Sequence, residues 1–351
     1  METLHTIYTN LIDQPKCWDY YNKNECTFLF ENLNKVSTCN DFISTYFRHA
    51  GKEKNTFKGF ADSLGERTKH VVSTFFLGIY LYENSNYIKE NIDTELKTYK
   101  ETNNSVEFTF IWFLICLFHD LGYTIEEEKD NELYTSFSDF LEKNLCKSSE
   151  LKKNAGVPNF YANIYKSYFQ YRIDVHKKND HGICAARILF KDLCKIRKRK
   201  EDNNDENDEL IWDKSLIDVY NFAAWVILAH NIWFIDTNNP CKIAEYNCAG
   251  LKELIRKDKE YKISFKEFPT FFLFCLVDSI EFLKNVKDIS CFKEIELDIK
   301  NSDNEECQII VKSNLCCGCH DRVLDSVADL NNWLTTTTKN GNEVTIIINP
   351  Q

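Results

Sequence analysis

Residues that interrupt regular secondary structure are scarce in this chain. Its 351 residues include only 10 glycines and 5 prolines. A turn-rich all-β fold needs many such residues, so the composition argues against one. Hydrophobic residues make up 43% of the sequence, with 26 phenylalanines, 17 tyrosines and 6 tryptophans, which is enough to bury a sizeable core. We therefore expect a mainly α-helical protein.

An excess of positive charge is also lacking. Lysine and arginine total 43 against 54 aspartates and glutamates, which gives a formal net charge of -11. The field of such a protein repels polyanions, so we expect no general nucleic-acid surface. The basic stretch 195–200 is followed by an acidic run. This pattern predicts a helix end and a solvated loop, with a phosphate or nucleic-acid patch as the alternative.

Signs of secretion or membrane insertion are missing as well. Residues 1–14 lack the pattern of a signal peptide, and the apolar run 110–118 is too short to span a bilayer. The 15 cysteines are scattered, many of them in apolar segments, which predicts buried, reduced thiols rather than a disulfide framework. We expect a cytoplasmic protein with no membrane partner.

Five strongly apolar, helix-like segments each carry histidine or aspartate. In chain order these residues are His70, His119 with Asp120, His181, His230 and Asp278. Such groups are costly in a core unless they are paired or bound to metal, and six of them require a common partner. Imidazole and carboxylate together suit Fe, Mn, Zn, Co or Ni rather than calcium. For any one histidine alone, the alternative is a core residue whose ring nitrogens are satisfied.

The segments resemble those of the HD superfamily of metal-dependent phosphohydrolases in its binuclear form (H…HD…H…H…D). They include RTKHVVSTFF around His70, FLICLFHDLGY around His119 and Asp120, and DHGICAARIL around His181. The resemblance covers roughly residues 60–290. It implies an HD-domain helical core that holds two divalent transition metals. The implied ligands are His70, His119 and Asp278 for the first metal and His181 and His230 for the second, with Asp120 bridging the two.

The resemblance also implies a reaction, the hydrolysis of a nucleotide or small phosphoester by a metal-activated water. His119 and Asp120 would lie at the catalytic centre. Residues that flank the ligands and carry donors are candidates for binding the phosphate, although each has a surface or supporting role as its alternative. These candidates are Arg67, Lys69, Tyr123, His176, Lys177 and Asn231.

Two other functional classes share features of this sequence. Di-iron oxygenases similar to myo-inositol oxygenase use the same six-ligand set, and ligand identity does not separate iron redox chemistry from hydrolysis. Such oxygenases tend to carry a lysine where this chain has Tyr123, and the difference favours hydrolysis. The third class is a non-catalytic nucleotide sensor that signals through its C-terminal part. The intact ligand set favours an enzyme over a sensor.

Three regions follow from the pattern along the chain. Residues 1–60 read as helical segments that pack on the core, in which His5 and His49 are structural or exposed. Residues 61–290 form the metal-binding domain, with an insertion at about 126–172. Aromatic stripes in this insertion are typical of buried core, and a lid over the site is the alternative.

The third region, 291–351, changes to strand-like alternation around one helical segment. It predicts a small α+β appendage of the form β-β-α-β. Within it, Cys316, Cys317, Cys319 and His320 form one cluster. Structural zinc sites usually combine two separated ligand pairs, so we interpret the cluster as a turn and a helix start, with zinc as the alternative.

Overall fold

The computed structural model is mainly α-helical with one small antiparallel sheet, as the composition and periodicity predicted. It describes residues 1–13, 28–50, 62–97, 108–126, 133–153, 156–203, 214–235, 238–255, 262–285, 289–302, 306–313, 319–341 and 343–348.

The helices follow the apolar segments closely. In chain order they are α1 (Leu4–Asp13), α2 (Val36–Ala50), α3 (Arg67–Asn84), α4 (Asn86–Lys97), α5 (Phe108–His119), α6 (Tyr123–Glu126), α7 (Phe137–Lys143), α8 (Tyr161–His176), α9 (His181–Asn203), α10 (Leu216–Ala229), α11 (Pro240–Cys248), α12 (Pro269–Ile280), α13 (Phe282–Asn285) and α14 (Cys319–Leu330). Short 3-10 helices cover Phe30–Asn34, Lys252–Leu254 and Ile289–Lys293. The strands are β1 (Glu2–Thr3), β2 (Ile295–Ser302), β3 (Glu306–Ser313), β4 (Thr336–Asn340) and β5 (Val344–Ile348).

The chain divides into two compact units. Unit 1 comprises Met1–Thr98, Glu107–Leu117 and Lys262–Gln351, and unit 2 comprises Tyr99–Val106 and Phe118–Tyr261. Unit 1 therefore contains the sheet, α1 to α4, most of α5, and α12 to α14. Unit 2 contains the end of α5 and helices α6 to α11.

The core of unit 1 is built on aromatic side chains. Helix α5 is apolar on all sides, which is the pattern of a helix buried on every face. Its Phe113 stacks on Tyr46 of α2 with ring centroids 3.8 Å apart, and meets Phe75 of α3 edge-on at 5.5 Å. The indole of Trp112 donates to the carbonyl of Phe75 at 3.0 Å. These contacts hold α2, α3 and α5 together.

Helix α5 also bears on the question of a membrane span. The stretch Phe108–Glu126, which joins α5 to α6, is long and apolar enough to cross a bilayer by length and composition alone. However, 83% of the most apolar part of this stretch is buried within the protein. Burial of this extent is typical of a core helix.

The sheet of unit 1 has the strand order β1-β2-β3-β5-β4, with every neighbouring pair antiparallel. The consecutive residues Ile309, Ile310 and Val311 of β3 are all buried. Ile309 and Val311 lie in register with the buried Ile346 and Val344 of β5. Helix α14 contacts the sheet and buries a stripe at helical spacing that includes Val323 and Val327.

The sheet differs from the predicted β-β-α-β order in two ways. Strand β4 (Thr336–Asn340) precedes β5, and the N-terminal β1 joins the edge of β2. The residues of β4 are threonine, lysine and asparagine, so the strand lacks the apolar alternation used to predict strands. Threonine is β-branched and favours extended backbone, which is the local signal for this strand.

The cysteine cluster of the appendage is described in part. Cys316 and Cys317 lie outside the described residues. Helix α14 begins at the buried Cys319, and the Nδ1 atom of His320 lies 3.3 Å from an Asp321 oxygen. A helix start therefore occupies this position, as expected. At the other end of the chain, the ring of His5 meets that of Phe30 at 4.5 Å, whereas the side chain of His49 lies outside the described atoms.

Unit 2 is built around α9 and α10, which pack against each other. The predicted aromatic stripes of the insertion belong to its core, since Phe137 of α7 and Phe169 of α8 meet at 5.4 Å and both are buried. Tyr165 of α8 meets Trp225 of α10 at 5.6 Å. The basic stretch 195–200 belongs to α9, which continues to Asn203, and residues 204–213 of the expected loop lie outside the described chain.

Candidate metal centre

Unit 2 brings together four of the six predicted ligands at the ends of three helices. Helix α5 ends at His119, α9 begins at His181, and His230 follows the last residue of α10. The ring of His230 lies 5.7 Å from that of His119 and 5.3 Å from that of His181, measured between centroids. The Nε2 atom of His119 is 3.2 Å from an oxygen of Asp120. All four side chains are buried.

The helix ends explain why histidines and a carboxylate converge here. The carboxyl ends of α5 and α10 carry the partial negative charge of the helix dipole, which favours cations. The helix-like segment around His119 and Asp120 predicts that both residues lie on one helix. In the structure the helix stops at His119, and Asp120 begins a turn in which its carbonyl accepts the Tyr123 N–H at 3.0 Å.

Two glycines allow the backbones to approach at this point. A Cβ atom on Gly122 would lie 1.9 Å from the carbonyl oxygen of His181. A Cβ atom on Gly182 would lie 3.0 Å from the carbonyl oxygen of Ile227 and 3.1 Å from the ring of His230. Side chains at either position would separate the helix ends that carry the histidines.

The ring of His181 is held by two neighbours from the α6 region. Its Nδ1 atom is 3.0 Å from an oxygen of Glu126, and Tyr123 stacks on the ring at 3.9 Å with an interplanar angle of 16°. The other Glu126 oxygen accepts from Arg172 at 3.0 Å. Burial opposes ionisation of Glu126, but the hydrogen bond to His181 and the charge of Arg172 outweigh it and lower the pKa of this carboxyl. A carboxylate accepts from an Nδ1–H group, which leaves Nε2 with its lone pair.

The ring of His230 is oriented by its own helix. Its Nδ1 atom lies 2.5 Å from the carbonyl oxygen of Ile227. A carbonyl oxygen only accepts hydrogen bonds, so Nδ1 carries the proton and Nε2 again keeps its lone pair. The same hydrogen bond fixes the tautomer and the direction of the ring.

Unit 1 contains the other two predicted ligands, which contact each other. The Nε2 atom of His70 on α3 lies 3.0 Å from an oxygen of Asp278 on α12. On the other side of the ring, Nδ1 lies 2.8 Å from the carboxylate of Glu281. Glu281 is fully buried, and it also accepts from the Ser73 hydroxyl and from the backbone N–H of Leu283 at 2.7 Å.

A lysine also contacts Asp278. The ammonium group of Lys284 is 2.5 Å from the same Asp278 oxygen that faces His70. Burial and the charge of Lys284 both lower the pKa of His70, but hydrogen bonds to Asp278 and Glu281 outweigh them and raise it. The Asp278 carboxylate thus already binds a cationic group.

The residues present fit divalent transition metals. Metal-bound histidines usually donate their second ring N–H to a carboxylate or a backbone carbonyl. His70, His181 and His230 each have Nδ1 in such a contact, with Glu281, Glu126 and the Ile227 carbonyl respectively. Bonds of about 2.0–2.2 Å from nitrogen and oxygen place two ligands of one ion about 3 Å apart. The His70–Asp278 and His119–Asp120 separations of 3.0 and 3.2 Å match this spacing.

Among the candidate phosphate-binding residues, Arg67, Lys69 and Tyr123 each lie one to three residues from a predicted ligand of their own unit. Arg67 and Lys69 lie in the first turn of α3, three residues and one residue before His70, and the Lys69 ammonium pairs with Glu66. Tyr123 covers the face of His181, as described above.

The remaining three nominated residues have other contacts. His176 and Lys177 lie at the C-terminal end of α8 and are exposed. The Nε2 atom of His176 lies 3.2 Å from the Tyr171 hydroxyl. The Lys177 ammonium donates to the Asp174 carbonyl at 2.7 Å. Asn231 follows His230 but donates to Asp180 at 2.8 Å. In this structure its side chain supports the start of α9.

Sequence reasoning missed the two glutamates that orient the histidines. Glu126 opens an acidic run, which resembles a solvated segment. Glu281 lies three residues after Asp278, a spacing at which residues share a helix face, and this was an available signal. Asp180 was also missed, although an aspartate directly before an apolar helix is a common cap. Its carboxylate accepts the Ile183 N–H at 2.8 Å.

Comparison with known proteins adds no relative. No protein-family model, no curated protein and no solved structure matches the chain.

Proposed function

We propose that this protein is a metal-dependent phosphohydrolase or phosphodiesterase that acts on a nucleotide or another small phosphoester. The observation that carries the proposal is the convergence of His119, Asp120, His181 and His230 at three helix ends of unit 2. Two of these histidines have Nδ1 hydrogen-bonded, so that each keeps an Nε2 lone pair for a metal. The HD-like order of ligands along the sequence supports the reaction class.

The ligand assignment follows that sequence resemblance. His70, His119 and Asp278 would hold the first metal, His181 and His230 would hold the second, and Asp120 would bridge them. When bound, two divalent transition metals lower the pKa of water and neutralise charge on a phosphate oxygen. No nucleophile from the protein is then required, and His119 and Asp120 are the proposed catalytic centre.

The residues of the chain have supporting tasks in this proposal. Buried glutamates fix the rings of His70 and His181, which saves the free energy of ordering them when substrate binds. Arg67, Lys69 and Tyr123 are the proposed donors to the substrate phosphate. A net charge of -11 requires such local donors, and it supports a small substrate rather than a nucleic acid.

The test combines metal analysis with a release assay. Protein purified without oxygen is analysed for metal and then assayed with added Mn²⁺ or Fe²⁺ on nucleotides, cyclic dinucleotides and simple phosphoesters. We expect about two metals per chain and release of phosphate or nucleotide. His230→Ala should lower metal content and abolish release, whereas His5→Gln, whose ring contacts Phe30, should retain both.

Three results would contradict the proposal. The first is wild-type protein that binds no divalent metal. The second is a His230→Ala variant with full metal content and turnover. The third is oxygen consumption by an iron-loaded protein that releases no phosphate, which would indicate an oxygenase of the di-iron type.

A further inference from the structure

We infer that Arg172 of α8 is a positioning residue for the second metal, because its ion pair with Glu126 holds the carboxylate that fixes the ring of His181. This inference rests on the proposed function, since it assigns His181 as a metal ligand. It gives a role in the site to a helix of the insertion, which the sequence suggested was core or a lid.

A continuous chain of contacts joins Arg172 to His181 through Glu126. The Nη2 atom of Arg172 lies 3.0 Å from Glu126 Oε1, and Glu126 Oε2 lies 3.0 Å from His181 Nδ1. The side chains of Glu126 and His181 are 5% and 6% exposed. A carboxylate buried to this extent needs a cationic or N–H partner on each oxygen. Arg172 supplies one partner, and the imidazole supplies the other.

Arg172 also faces Asp180, the residue before His181. Its Nε atom is 3.7 Å from Asp180 Oδ2. Asp180 is fully buried, caps α9 through the Ile183 N–H, and accepts from Asn231. The guanidinium group thus lies between the carboxylate that orients the His181 side chain and the carboxylate that fixes its backbone. Neither lysine nor a neutral residue presents donors in this planar arrangement.

Helix α8, which carries Arg172, has a second contact near the proposed second metal site. Arg172 lies in the last turn and a half of α8, whose Tyr168 hydroxyl donates to the carbonyl of Asn231 at 3.1 Å. Asn231 directly follows the other proposed ligand of the second metal, His230. The same helix therefore contacts the chain beside both ligands of that metal. A substitution at Arg172 should affect the second metal and leave the first unchanged.

The experiment measures metal binding and ring tautomer rather than turnover. Wild-type full-length protein and the variants Arg172→Met and Arg172→Lys are titrated with Mn²⁺ by calorimetry. The tautomer of His181 is read in the metal-free proteins from ¹⁵N shifts of the imidazole. We expect two sites in wild type and a loss of roughly tenfold or more in affinity at one site in Arg172→Met. Arg172→Lys should weaken that site as well, because lysine lacks the paired donors.

Arg197→Met is the matched control for loss of a buried arginine. Arg197 lies on α9, is buried, and pairs with Glu201 at 2.9 Å. This variant removes an arginine–glutamate ion pair within one helix, whose glutamate is partly exposed, and it should keep both metal sites and the wild-type tautomer of His181. In Arg172→Met the His181 signals should move toward a mixture of tautomers, even without metal.

The outcomes separate this inference from the proposed function. Unchanged affinities at both sites and an unchanged tautomer in Arg172→Met would overturn the positioning role. Equal losses in Arg172→Met and Arg197→Met would also overturn it, since they would indicate general destabilisation. Wild-type protein that binds no Mn²⁺ would instead refute the metal site itself, while the tautomer measurement would still report whether Arg172 orients His181.

Discussion

Gly122 packs directly against the backbone of His181, so that a Cβ atom on the glycine would lie 1.9 Å from the His181 carbonyl oxygen. The contact joins the turn after α5 to the first residue of α9. Backbone atoms are the least able to move aside when a side chain is added. This glycine therefore sets how closely Asp120 and His181 can approach within unit 2.

Gly122→Ala should destabilise the protein by about 2 kcal/mol, the usual cost of forcing an extra methyl group into a packed site. Urea unfolding followed by circular dichroism measures the change. Gly341→Ala is the control, because a Cβ atom there meets nothing within 4 Å and should change stability by less than about 0.5 kcal/mol. Equal stability of both variants would show that the turn relaxes without cost.

Glu281→Ala should destabilise unit 1 more strongly. The fully buried carboxylate accepts from His70, Ser73 and the Leu283 N–H, and its loss leaves these donors without their acceptor. Removal of one member of a buried charged cluster typically costs about 3 kcal/mol or more. Chemical unfolding of metal-free protein tests this, with the exposed Glu294→Ala as control. A loss below about 1 kcal/mol would contradict the role given to Glu281.

Lys284→Met should tighten divalent metal binding if Asp278 is a metal ligand. The Lys284 ammonium is 2.5 Å from the Asp278 carboxylate and competes for the same oxygen. Partly exposed ion pairs contribute about 0.2–1 kcal/mol, so we expect an affinity gain of about two- to fivefold. Calorimetric titration with Mn²⁺ measures it. Lys89→Met, which removes a surface pair with Glu83, should leave the affinity unchanged. Weaker binding in Lys284→Met would mean that this lysine supports the metal.

We expect the free energy of unfolding to depend on pH through the protonation of Glu95. Burial raises the pKa of Glu95 to about 7, although the Thr270 N–H donates to it at 3.1 Å. The folded state therefore favours the protonated form. The stability contributed by that form is complete below the ordinary pKa of about 4.5 and is lost as the pH rises through about 7.

Glu95→Gln removes this dependence. The variant should be about as stable as wild type near pH 4 and more stable by roughly 3 kcal/mol at pH 8, because glutamine stays neutral. Urea unfolding at several pH values measures the difference, with Glu90→Gln on the exposed side of α4 as control. A stability difference that does not vary with pH would exclude Glu95 as the source.

Much of the fold was predictable because its helices coincide with strongly apolar segments of the sequence. The segments around His70, His119, His181, His230 and Asp278 all belong to helices or to the residues that end them. Strand β4 was not predicted, since its threonines, lysine and asparagine show no apolar alternation. Its pairing partner β5 supplies the hydrogen bonds that define it, and no local pattern encodes that partner.

The candidate site was predictable to the same partial degree. The residue types and their order indicate nitrogen and oxygen donors for a transition metal. The residues that orient those donors gave weaker signals, because Glu126 lies in an acidic run and Arg172 lies in an aromatic helix of an insertion. Charged side chains such as these are usually solvated. They orient other groups only where the tertiary structure buries them beside those groups.

The sequence by itself determined the helical class, the order of the six histidines and aspartates, and the small residues beside them. Only the tertiary structure decided which ring nitrogen of His70 and of His181 is hydrogen-bonded to a carboxylate, because those partners are distant in the chain. Glu126 lies 55 residues before His181, and Glu281 lies 211 residues after His70. A local pattern specifies which groups enter the core. The packing of separate helices specifies how those groups are paired, since each buried carboxylate needs donors that come from elsewhere in the chain.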